Sequence, residues 1–147
     1  MITHALLTDM YQLTMMQGLF TQQKHRTRCV FDRFYRTNPF QGAYTVVAGL
    51  EQVIKYVKGL HFSEEDIAYL RTTGVFTEPF LEYLRTFRFT GTIYAAPEGS
   101  VVFPGEVLLR VEAAKDEAIL METALSMFLN HESLIATKAR RIRSVIG

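Results

Sequence analysis

The chain has 147 residues, 48% of them hydrophobic and 21% charged, the balance of one ordinary globular domain with a core, which excludes disorder. A net charge of +1 excludes a global field that would draw in nucleic acid or a membrane surface, so an anionic partner has to be met by a local cluster. The single cysteine, Cys29, excludes an internal disulfide, and no Cys/His set has zinc spacing, which together point to a reducing, cytoplasmic setting without a structural metal.

The start, Met1 to Ala5, lacks a basic leader, and Asp9 interrupts the apolar run that follows. Nothing approaches the roughly 18 consecutive apolar residues that span a bilayer. Neither secretion nor membrane embedding is expected.

From Asp9 to Phe20, Met10, Leu13, Met16 and Phe20 recur at helical spacing, with Tyr11, Met15 and Leu19 as a second apolar row, so the spacing predicts a helix buried on more than one side. Asp9 reads as its N-cap and Gln12 as the residue that closes a capping box; Gly18 marks its end. Neither role uses Tyr11. Thr27 to Tyr35 is rich in β-branched and aromatic residues and reads as a strand, with Cys29, Phe31 and Tyr35 on one face and Arg33 interrupting it. Arg36 to Gly42 is a loop by its Pro39 and Gly42, and Tyr44 to Ala48 is a short strand.

Gly49 opens a helix whose apolar face is Leu50, Val53, Ile54 and Val57. Ser63 to Asp66 is an N-cap signature for the next helix, and Gly74 suits a left-handed position at its end. Thr77 and Pro79 start a further helix, Phe80 to Phe87. Gly91 to Ala96, Ser100 to Phe103 and Val107 to Glu112 then read as three strands in a meander, the last with Val107, Leu109 and Val111 on its buried face.

A helix from about Asp116 to Leu129 carries Ala118, Met121, Leu125 and Leu129 on its stripe, with Glu122 on or beside it, either meeting a cation or amide or lying in water. A separate helix, Leu134 to Gly147, has Ile135, Ala139, Ile142 and Ile146 as a narrow apolar stripe, with Lys138 and Arg141 on its border, where they can reach an enclosed anion, and Arg140 and Arg143 towards solvent. His131 beside Asn130 suits a cap or a packing position between these two helices. The helical pattern still runs, uncapped, at Gly147. The cations are split between helix faces and lack stacking aromatics, which excludes a nucleic-acid track.

No phosphate-binding loop, dinucleotide fingerprint or hydrolase motif is present. Spacing and composition alone define an α+β domain, organised as residues 1–130 followed by a terminal helix over 131–147.

The order of several short motifs goes further. Leu6 to Met15 (Leu-Leu-Thr-Asp-Met-Tyr-Gln-Leu-Thr-Met), Phe34-Tyr35-Arg36, Pro39-Phe40, Gly42 with Tyr44, Ala48-Gly49-Leu50, Phe80 to Leu84, Phe89 to Gly91, Pro97-Glu98-Gly99, Val102 to Pro104 and Leu134 to Ala139 with Arg141-Ile142 together resemble the N-terminal portion of the nicotinate phosphoribosyltransferases. The resemblance implies the N-terminal α/β-sandwich (hammerhead-like) domain of a type II phosphoribosyltransferase, without the C-terminal α/β barrel. It also implies an activity: transfer of a phosphoribosyl group from 5-phosphoribosyl pyrophosphate to nicotinate, with ATP hydrolysis, in NAD salvage.

By the same resemblance Asp9 and Tyr11 match an Asp-x-Tyr motif at the pyridine site, and Arg141 closes a Thr-Lys-Ala-x-Arg motif that brings Thr137 and Lys138 with it. Relatives acting on nicotinamide continue Tyr-Lys-x-Thr-His, where this chain has Gln12 and Met15. Arg33, Val107 and Arg140 depart from the family pattern. Mg²⁺ and ATP are implied as cofactor and co-substrate, neither held by this portion alone, and the isolated chain is expected to be inactive. The active site is expected at a homodimer interface. The alternatives are a nicotinamide or quinolinate phosphoribosyltransferase, or a non-catalytic assembly module.

Overall fold

A computed structural model describes residues 4–146; the expectations resting on Met1 to Thr3 and on Gly147 lie outside the described residues. A 3-10 turn, His4–Leu6, leads into α1 (Met10–Thr21), β1 (Arg28–Phe34), a second 3-10 turn (Pro39–Gln41), β2 (Thr45–Val46), α2 (Leu50–Gly59), α3 (Glu64–Thr72), α4 (Glu78–Arg85), β3 (Thr92–Ala95), β4 (Val101–Val102), β5 (Val107–Ala114) and α5 (Lys115–Ile146). The fold is mixed helix and sheet. An antiparallel sheet in the order β1-β5-β3 and a two-stranded antiparallel sheet, β2-β4, are both packed by α5.

The three strands after α4 therefore do not form a simple meander. The Pro97–Gly99 turn sends β4 away to β2, locked by Val47 N donating to Ser100 O (2.8 Å) and Gly99 N to Val47 O (2.8 Å), while β3 pairs directly with β5. In β5 the alternation also slips. Register against β1 passes from Arg33↔Leu109 to Phe34↔Val107, leaving Leu108 as the extra residue of a bulge. As a result Leu108 and Leu109 are both buried and Val107 is exposed.

The core gathers α1 to α5 around Phe80, Leu81, Leu84, Leu120 and Met121. α1 buries one side only: Gln12, Leu13 and Met16 are enclosed, whereas Met10, Tyr11 and Met15 are exposed. It also runs through Gly18 to Thr21, because a helical glycine weakens a helix without ending it. In α2 the buried residues are Val53 and Tyr56, and Ile54 is exposed; the face is centred on Tyr56, whose ring meets Phe128 of α5 edge-on at 5.8 Å. The Ser63 cap forms as expected, with Ser63 N donating to Asp66 Oδ2 (2.8 Å) and Asp66 N to Ser63 Oγ (3.1 Å). Gly74 takes a left-handed φ of 67°.

The largest difference lies in α5, a single helix of 32 residues where the spacing predicts two. Asn130 and His131 are exposed on an unbroken turn, since nothing between Leu129 and Leu134 forbids helical backbone. Its last third also turns the opposite way from expectation. Ile135, Ala139, Ile142 and Ile146 are exposed, and the buried residues are the polar Ser133 and Thr137. Both are drawn inward by backbone amides: Val46 N donates to Thr137 Oγ1 (2.9 Å) and Ala48 N to Ser133 Oγ (2.9 Å).

The start of α5 carries a buried acidic pair. Glu117 receives Arg26 Nη1 (2.7 Å), Thr90 N (3.0 Å) and Thr90 Oγ1 (2.8 Å), while Asp116 receives the Tyr83 hydroxyl. Burial and the neighbouring Asp116 carboxylate both hold the Tyr83 phenol well above its ordinary range, so it stays a neutral donor. Among the described residues no helix is long and apolar enough to cross a membrane.

Candidate functional site

The first candidate cluster is built where α1 begins. Asp9 has the extended backbone of an N-cap, and its amide faces Gln12 Oε1 at 3.4 Å, so the capping reading holds. The structure adds contacts from far along the chain. Thr123 of α5 points its hydroxyl at Asp9 Oδ2 (2.7 Å) and at Gln12 Oε1 (3.0 Å), the Thr8 hydroxyl donates to Gln12 Oε1, and Gln12 Nε2 donates to Glu122 Oε2 (3.1 Å). Glu122 thus has an amide partner while lying at the water's edge, which satisfies both readings of its place on the stripe.

Tyr11 is 52% exposed and stands over a groove floored by Met15, Leu19, Phe31 and Ile119, with Lys115 and Glu122 on its rim. A half-exposed phenol ring beside a carboxylate and an apolar floor suits a planar aromatic ligand with a polar edge.

The second cluster lies near the far end of α5. Thr137 is enclosed, and its hydroxyl is engaged twice, accepting from Val46 N and donating to Ser133 O (2.6 Å). It holds β2 and does not face open space. Lys138 and Arg141 are exposed and converge on Phe40: the Lys138 ammonium lies 5.9 Å from the ring centroid, and Arg141 Nη1 donates to Phe40 O (3.2 Å). Phe40 and Gln41 both have left-handed φ, 57° and 52°, a conformation that costs a non-glycine residue about 1 kcal/mol or more. The clamp on the Phe40 carbonyl helps offset that strain.

Beside this turn is a groove of about 500 Å³ lined by Arg33, Arg36, Asn38 and Asn130, with Arg33 and Arg36 its charged side chains. In the sequence Arg33 interrupts the apolar face of a strand and Arg36 starts a loop. Their convergence depends on where β1 ends against α5, and nothing local signals it. Such a groove can take an anion.

The two clusters do not meet. Thr123, which holds Asp9, and Arg141 are eighteen positions apart on α5, about 27 Å at the rise of an α-helix. Each is open on one side. Among the described residues no group of three or more His, Cys, Asp or Glu side chains could hold a metal ion.

A family model described as the nicotinate phosphoribosyltransferase (NAPRTase) N-terminal domain matches residues 6–130. A nicotinate phosphoribosyltransferase of Dictyostelium discoideum is 42% identical over 97% of this chain and 24% of its own length, and one of Bacillus subtilis (strain 168) is 43% identical over 95% of this chain and 29% of its own. The crystal structure of human nicotinic acid phosphoribosyltransferase superposes with a TM-score of 0.89 at 36% identity, over 96% of this chain and 29% of that one. A nicotinate-nucleotide pyrophosphorylase from Pyrococcus furiosus, at a TM-score of 0.61 and 22% identity over 87% of this chain and 25% of that one, shares the fold alone. The chain spans about a quarter of the length of the curated relatives it matches.

Proposed function

The chain belongs to the family of nicotinate phosphoribosyltransferase N-terminal domains, and from that premise we propose that it is the N-terminal part of an enzyme joining nicotinate to 5-phosphoribosyl pyrophosphate, with ATP hydrolysis, in NAD salvage. The observation that carries this is the identity of more than two residues in five, sustained along nearly the whole chain, with relatives named for that activity.

The reaction displaces pyrophosphate from an anomeric carbon. It needs the pyridine ring held in line, anionic groups met by cations, and water kept out. Asp9 and Tyr11 supply the pyridine end, with the exposed phenol ring stacking on the base. Arg141, with Lys138 beside it, is the cation for a carboxylate or phosphate, and Arg36 adds positive charge across the Phe40 turn. Thr137 acts from behind by fixing β2.

Two open clusters about 27 Å apart on one helix fit two half-sites better than one enclosed site. The reading therefore includes a homodimer, in which each cluster is completed by other parts of the full-length protein, a cytoplasmic location, and an isolated chain without turnover. Mg²⁺ and ATP belong to the reaction as a whole.

The test is nicotinate-dependent pyrophosphate release by the full-length protein, compared with its Tyr11→Ala and Arg141→Ala variants and with the isolated chain. Impaired nicotinate use by both variants, and none by the isolated chain, is the expected result. Unchanged KM and kcat in both variants would leave only an assembly role.

A further inference from the structure

Gln12 is fully buried, while Tyr11 beside it and Asp9 one turn away are exposed. A buried primary amide is costly unless its oxygen and its NH₂ are both met. Here the oxygen faces the hydroxyls of Thr8 and Thr123 and the Asp9 amide, and the NH₂ meets Glu122. Docking α1 on the core does not require this arrangement, because Leu13 and Met16 already enclose its inner side and an apolar side chain at position 12 would add to them. What the amide contributes is direction. It ties the backbone on either side of Tyr11 to two consecutive residues of α5, Glu122 and Thr123.

Thr123 adds a second property. Its hydroxyl carries one proton and faces two acceptors, Asp9 Oδ2 at 2.7 Å and Gln12 Oε1 at 3.0 Å. Both acceptors belong to the turn that carries Tyr11, so one hydroxyl of α5 fixes the cap carboxylate and the buried amide against each other. The start of α1 is thereby set before a ligand arrives, so binding requires little reorganisation.

We propose that Gln12 and Thr123 are positioning residues that hold Asp9 and Tyr11 in register for a planar, anionic pyridine. The inference rests on the pyridine-site reading above and deepens it. Neither residue touches the ligand; both act through the motif they anchor.

The experiment measures steady-state kinetics of the full-length protein carrying Thr123→Val, which removes the hydroxyl at constant shape, Thr123→Ser, which returns it, and Gln12→Met, with Tyr11→Ala as reference. For Thr123→Val and Gln12→Met the nicotinate KM should rise about tenfold, the loss expected for one charge-assisted hydrogen bond, with the KM for 5-phosphoribosyl pyrophosphate unchanged and Thr123→Ser close to the parent. A purely structural role would lower the melting temperature without this selective shift in KM. If Thr123→Val and Gln12→Met fold and keep the parental nicotinate KM while Tyr11→Ala raises it, the positioning proposal is wrong and the pyridine site stands. If Tyr11→Ala also leaves that KM unchanged, both fail. Should one variant not fold, the other decides; failure of both to fold would assign the network to stability and overturn the proposal.

Discussion

Replacing Gly49 with alanine tests the junction of β2, α2 and α5. Gly49 caps α2 at φ 109°, and a methyl group built there would lie 2.8 Å from the Phe128 carbonyl oxygen and 3.1 Å from its carbon, both backbone atoms of α5. The left-handed backbone costs alanine about 1–2 kcal/mol. The collision adds about 1–3 kcal/mol, because neither a helix backbone nor a capped turn yields cheaply. Any shift also stretches the bonds that Gly49 N (3.0 Å) and Leu50 N (2.8 Å) donate to Glu98 Oε1. The expected cost is about 3–4 kcal/mol, lessened by a few tenths to 1 kcal/mol because alanine also restricts the unfolded chain.

Gly74→Ala is the control. Its φ is 67° but nothing lies within 4 Å of the added methyl group, so it carries the backbone cost alone, about 1 kcal/mol after the same correction. At this chain length 1 kcal/mol moves Tm by about 2–4 °C, so Gly49→Ala should melt at least about 4 °C below Gly74→Ala, read by circular dichroism. Equal melting temperatures would refute the close approach of the Gly49 turn to α5.

Glu117→Ala should destabilise by about 2–3 kcal/mol in urea unfolding, since Thr90 N and Arg26 lose their partner; the figure is below that for a fully buried pair because the Arg26 side chain is half in water. A loss under about 0.5 kcal/mol would show that water replaces the carboxylate. Stability should also fall in acid. The Arg110 guanidinium, bound to Asp32 through two hydrogen bonds, holds that carboxyl below its usual range, as Lys55 does for Glu51 and Arg71 for Glu78. A lowered folded-state pKa gives stability that is present above the unfolded value of about 4 and is lost as pH falls through the folded value. Asp32→Asn should therefore be less stable than the parent at neutral pH and converge with it in strong acid; a constant gap across the acid range would contradict the linkage.

Local chemistry was legible in the sequence. Ser63 and Asp66 lie three residues apart and cap each other, Gly74 sits where a left-handed residue is needed, and Asp9 with Gln12 reads as the cap it is. What failed involved distant partners. No pattern in Val101–Val102 reveals that β2 outcompetes β3 and β5 as its neighbour. Periodicity assigned Ile135 and Ile142 to the inside, although two backbone amides of the β2 region draw in Ser133 and Thr137 instead, because an unmet buried amide costs more than an exposed isoleucine. The motif order identified the family. It did not show that Gln12 reaches Glu122, or that Arg33 and Arg36 share a groove with Asn130.

The unbroken course of α5 also sets an angle. Eighteen positions at 3.6 residues per turn make five whole turns, so Thr123 and Arg141 project from the same side of the helix. The phase between the two clusters is thereby fixed by residue count. One residue inserted between Thr123 and Ser133 would rotate everything beyond it by about 100° and move it only 1.5 Å along the axis. Ser133 and Thr137 would swing off β2, and Arg141 would leave Phe40. Along this stretch the number of residues is constrained as firmly as the side chains that hold β2 and Phe40.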